Sequence, residues 1–116
     1  MKYPLPDLYD RYSIELLKHE RANADNESHI AALLRGLHEE GEFREDFASQ
    51  LHEINGKIWD LESAIRMGKE HELGLEEVGR RALQIRQLNN VRISIKNDVA
   101  NYFGEFKENK YDHASQ

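Results

Sequence analysis

The chain has 116 residues, with 16 Lys and Arg against 22 Asp and Glu and a formal net charge of −6. Its 39% hydrophobic content is too high and too periodic for a disordered segment, so one small polar globular domain is expected. The lack of cysteine excludes disulfide scaffolds, thiolate metal sites and thiol nucleophiles.

The opening residues, Met1-Lys2-Tyr3-Pro4-Leu5-Pro6, lack the apolar run of a signal peptide, and no segment is apolar enough to span a bilayer. A cytoplasmic protein is therefore expected. Both prolines precede Asp7, which reads as the N-cap of a first helix from about Leu8 to Ala22. Asn23-Ala24-Asp25-Asn26 is a polar turn. A shorter amphipathic helix follows, with Ile30, Leu33, Leu34 and Leu37 on one side and Gly41 as its stop.

The third element carries the clearest pattern. Phe47, Leu51, Ile54, Ile58, Leu61 and Ile65 alternate steps of four and three, a heptad seam that extends over about 43–72. Gly74 can end it, and a fourth helix spans about 75–103, with Glu76 and Glu77 in its dipole-favoured first turn and Gly104 as its C-cap. No strand alternation or hairpin turn appears. The expected fold is an all-α antiparallel bundle built on a long two-helix hairpin, one domain over 1–104 with a polar tail at 105–116. The first helix is about half as long as either arm, so uncovered apolar surface predicts a homo-oligomer.

Charge is unevenly placed. From Val78 to Asn97 there is no acid, yet the stretch carries Arg80, Arg81, Arg86, Arg92 and Lys96. That leaves 11 basic residues against 22 acids elsewhere, a net of −11 outside this stretch. At ~100° per residue, Arg81, Asn89, Arg92 and Lys96 fall on the same arc as Val78, Ile85, Leu88, Ile95, Val99 and Phe103. Unpaired cations pointing inward are costly, so each must be answered.

Two answers are open. One is a structural network, with Glu20 and Glu62 set against Arg81 and Arg92 to fix helix register. The other is a pocket for a small anionic, nucleotide-derived ligand. Arg forks suit phosphate and carboxylate, Asn55 and Asn89 read amide or base edges, and Trp59 or Tyr9 supplies a stacking face. Arg66 continues the polar stripe of Asn55, Trp59 and Glu62 beside the heptad seam.

Enzymatic readings are weaker. The dipeptides His19-Glu20, His38-Glu39, His52-Glu53 and His71-Glu72 all lack a second His four residues on, so no zinc-protease helix is formed. Glu42 and Glu45 lack the matching acidic pair of an all-α magnesium pyrophosphatase and read as the acidic start of the third helix. No phosphate loop or nucleophile elbow occurs, so neither metal nor cofactor is expected. The net negative charge, and basic side chains on both faces of the fourth helix, argue against nucleic acid.

Three stretches carry a resemblance. Asp10 to Arg21 reads as D-[RK]-x-[ST]-I-x-x-x-K-x-E-R, and Asn55 to Arg66 as N-x-x-[LI]-W-D-[IL]-E-x-x-I-R. The third, Asn89 to Lys96, reads as N-x-x-R-x-x-x-K. Together they resemble a small uncharacterised helical family of bacteria and tailed phages. The chain departs from it around Gly79-Arg80-Arg81 and in a longer polar tail, as a separate phage-like branch would. The resemblance implies weight for Glu20, Asn55, Trp59, Glu62, Arg66, Asn89, Arg92 and Lys96. A phage-like origin further implies a counter-defence protein that sequesters a nucleotide signal.

Overall fold

The computed structural model describes residues 3–65 and 70–104. Arg66 and the tail at 105–116 lie outside the described residues. The regular elements are all helices: α1 (Leu5–Ala22), α2 (Glu27–Glu40), α3 (Glu45–Ala64) and α4 (Glu70–Phe103).

Local chemistry sets their ends. α1 begins at Leu5 rather than Leu8, because Pro4 is its N-cap and Pro6 falls in the first turn. A proline there loses no intrahelical bond, since the first-turn N–H groups have no helical acceptor. Asp7 is thus an acid inside the first turn and not the cap. At the other end Asn23 takes the left-handed conformation, φ 53°, and the Ala24 N–H donates to the Lys18 carbonyl at 3.2 Å. The Asn23 N–H reaches the same carbonyl, a six-to-one closure that satisfies a terminal acceptor. α3 begins at Glu45, so Phe43 lies before it and packs as a loop residue against Tyr9. α4 is broken at Gly74, φ 82° and ψ 160°, where a β-carbon would be strained.

The core is where α1, α3 and the last turns of α4 meet. Tyr9, Leu37, Phe47, Leu51, Ile54 and Val99 are buried together there. Tyr9 stacks on Phe43 and on Phe103, meets Phe47 edge-on at 6.1 Å, and accepts the Arg44 backbone N–H through its hydroxyl at 2.9 Å. Phe47, at the start of α3, also packs on Tyr102 and Phe103 at the end of α4. α2 packs against α1.

The heptad seam is buried at Phe47, Leu51, Ile54 and Ile58 but only half-buried at Leu61 and Ile65. The reason is length. α1 has 18 residues, about 27 Å, whereas α4 has 34. Beyond the reach of α1, Leu75 and Leu83 of α4 are 88% and 58% exposed.

Leu51 is fully buried at the centre of this cluster. Leu51→Ala is expected to cost about 2–5 kcal/mol through lost transfer energy and the cavity left behind. Urea denaturation should show it as a lower midpoint with an unchanged slope.

Candidate functional site

Three helices converge on Asp10. It lies on α1 at 5% exposure, one turn before the fully buried Ser13. The Ser13 hydroxyl turns back to its own helix and donates to the Asp10 carbonyl at 2.7 Å. From α3, the buried Asn55 donates through Nδ2 to Asp10 Oδ1 at 2.9 Å and to Ser13 Oγ at 2.8 Å. From α4, Arg92 closes both arms of its fork on the same carboxylate: Nε donates to Oδ1 at 2.9 Å and Nη2 to Oδ2 at 2.5 Å. Its remaining arm, Nη1, donates to Asn89 Oδ1 at 3.3 Å. One turn further along α4, the buried Lys96 reaches Asp7 at 3.0 Å.

Burial alone would push the Asp10 carboxyl upward. The bonds from Arg92 and Asn55, with the positive charges of Arg92 and Lys96, more than offset this and hold it below the ordinary aspartate range.

The carboxylates that reach Arg92 and Lys96 from α1 are Asp10 and Asp7, and not Glu20. Arg81 pairs with Glu77 on its own helix, Nε to Oε2 at 3.0 Å, and Arg80 pairs with Glu76 and Glu77. Glu20 is exposed and bonds His52 at 2.9 Å, tying α1 to α3 on another face. Arg21 adds a second tie there, to Asp60 and to the Gly56 carbonyl.

Tyr9 is fully buried in the aromatic core, with its hydroxyl already bonded, so it offers no face to a ligand. Burial also raises its pKa above the usual tyrosine range. Thus Tyr9, Glu20 and Arg81 stand apart from the remaining candidates.

Five of the candidates share one cleft. Asn55, Trp59, Glu62, Asn89 and Arg92 line a space of about 360 Å³ between α1, α3 and α4, completed by Ile14, Leu17 and Ile58. Trp59 is half-buried at this cleft. Lys96 lies outside it, in a second cleft of about 400 Å³ shared with Asp7, Asp10 and Arg11. Ile14 and Arg92 line both. Among the described residues no cluster of three or more His, Cys, Asp or Glu could hold a metal.

Asp10 was the residue missed. Spacing marks its inward direction, because Asp10, Ser13 and Leu17 follow one another along α1 next to the buried Tyr9, but does not name the cation that it meets. An acid on that apolar row is as unusual as the cations that it meets.

Comparison of the chain with protein-family models, with curated proteins and with solved structures finds no match.

Removing Arg92 leaves Asp10 buried and charged. Arg92→Ala is expected to cost about 3 kcal/mol near neutral pH, the low end for a broken buried pair because the Arg92 side chain is 30% exposed. The sign with pH follows from the depressed carboxyl. Its stabilisation is complete above the unfolded aspartate value, near 4, and is lost as pH falls through the lower folded value. Acid titration of melting temperature should therefore show the gap between wild type and Arg92→Ala narrowing below about pH 4.

Proposed function

We propose that this chain is a non-enzymatic binding protein that captures a small, nucleotide-derived molecule in the cleft between α1, α3 and α4. The observation that carries this reading is the lining itself. An indole face, two carboxamides, a carboxylate and a guanidinium converge on about 360 Å³, over an apolar floor of Leu17 and Ile58. The lining is more polar than that of most small-molecule sites, which suits a ligand rich in polar groups of its own. A heteroaromatic ring would stack on Trp59 and pair along its edge with the Asn89 amide.

The ligand does not meet a bare cation. The Arg92 fork is closed on Asp10, which fixes the guanidinium in place and lowers its pull on an anion. The same observation supports a second reading, a structural or adaptor module whose polar stripe sets helix register.

In the first reading the chain is a branch of the bacterial and phage family that its three motifs resemble. Its role is then to sequester a nucleotide signal in the host cytoplasm as a counter-defence protein. α3 and α4 form the arms of a long antiparallel hairpin, and the protein is a homo-oligomer. Support for the last point comes from α4, where Leu75, Leu83, Val91 and Ile93 are all more than a third exposed.

Two measurements test this. Thermal shift against nucleotides, cyclic nucleotides and sugar phosphates should give at least one stabilising compound. At a hundredfold excess over Kd the gain is about 2.7 kcal/mol. Trp59→Leu should abolish that gain while the variant still melts cooperatively. If no compound shifts the wild type while Arg92→Ala is strongly destabilised, the structural module stands instead. Light scattering should return a multiple of 13.6 kDa. A monomer mass across a wide concentration range would refute the oligomer.

A further inference from the structure

The second cleft has a use that the binding reading leaves open. Its α1 wall is a stripe at steps of four, three and four, Asp7, Arg11, Ile14 and Lys18. Its α4 wall is Arg92 and Lys96. The charges fall mostly into pairs: Asp10 with Arg92, Asp7 with Lys96 at 3.0 Å, and Glu15 with Lys18 at 3.2 Å. Glu15 also accepts from Asn26, and these donors hold its carboxyl below the usual range against the upward push of burial.

Arg11 is the exception. Among the described residues it pairs with no carboxylate, and its guanidinium lies over the exposed Tyr3 ring, 4.1 Å from the centroid. Four cations therefore stand against three carboxylates, and the surplus charge sits on the exposed Arg11. A guanidinium held on an aromatic face keeps its fork edge available to a phosphate or carboxylate.

This cleft and the Trp59 cleft meet along Ile14 and Arg92. Arg11 and Leu17, one from each, are six positions apart on α1, about 9 Å along its axis. That is the scale of one small nucleotide rather than of two separate ligands.

On the binding reading above, we infer that the two clefts are halves of one site for a nucleoside monophosphate. The heteroaromatic ring lies against Trp59, and the phosphate crosses the Asp10–Arg92 pair to reach Arg11. The pair acts as the saddle between the halves. Its neutrality is useful there, because a bare Arg92 would hold the phosphate over the ring cleft and leave Arg11 unused.

The experiment is calorimetry with the four common ribonucleosides, their 5′-monophosphates and inorganic phosphate, on wild type, Arg11→Ala and Trp59→Leu. Arg11 is exposed and bonds no other helix among the described residues, so its variant should melt as wild type does. The expected result is one monophosphate binding at least about tenfold tighter than its nucleoside, with Arg11→Ala erasing that difference and leaving nucleoside affinity unchanged. Trp59→Leu should lose both. If nucleoside and monophosphate bind alike and Arg11→Ala changes neither, the shared site is overturned and the Trp59 cleft still stands as a binding site. If inorganic phosphate binds as tightly as the monophosphate and Trp59→Leu has no effect, the second cleft is a separate anion site and the inference fails. Binding of no probe by the wild type overturns the inference and the nucleotide reading together.

Discussion

A carboxylate at 5% exposure stays ionised only where charge and hydrogen bonds replace the water that it has lost, and Asp10 draws those replacements from two other helices. That requirement fixes the mutual placement of α1, α3 and α4 more narrowly than apolar packing does. Leucine and isoleucine tolerate a small slide along a helix axis, but a two-armed guanidinium on a two-oxygen acceptor does not. Asn55 adds a third direction of approach, and Ser13 caps the arrangement from within α1. The clefts on either side owe their shape to this fixed point, since Arg92 forms a wall of each.

The basic stretch of α4 is divided by the same geometry. Near its start, Arg80 and Arg81 turn to Glu76 and Glu77 on their own helix, in short-range pairs that exposure and salt keep weak. Further along, Arg92 and Lys96 cross to α1, where burial makes each pair matter. A charge count treats these cations as one patch. In the folded chain Arg80 and Arg81 pair within their own helix, whereas Arg92 and Lys96 connect the first helix to the last.

How much was legible in the sequence varies with the physics of each feature. The helices and the heptad seam show because apolar periodicity is a local signal, and Gly74 and Gly104 both take the positive φ that glycine permits. The inward arc of Asn89, Arg92 and Lys96 was also readable, since direction on a straight helix follows from spacing alone. The identity of the opposing acid was not. Pairing depends on the rotation of α1 about its own axis, which one helix's spacing cannot supply, so Glu20 was as reasonable as Asp10. Tyr9 was misplaced for a related reason. An aromatic ring beside polar neighbours reads equally as a platform or as core, and what decides it is Phe43, a loop residue that stacks on Tyr9 from outside any helix.

The bond between Asp10 and Arg92 joins residues 82 positions apart. Helices form in about a microsecond from contacts a few residues away, whereas contacts across most of a chain must wait for the intervening segments to order. Asp10 therefore spends the early stages of folding as an ordinary solvated acid on a solitary amphipathic helix. The Asp10–Arg92 pair between the clefts forms only when α4 docks on α1. During synthesis the order is stricter still, because a chain emerging from its N-terminus exposes Asp7, Asp10 and Asn55 well before Arg92 and Lys96 exist. An incomplete chain has most of the apolar core residues and lacks the α4 wall of both clefts.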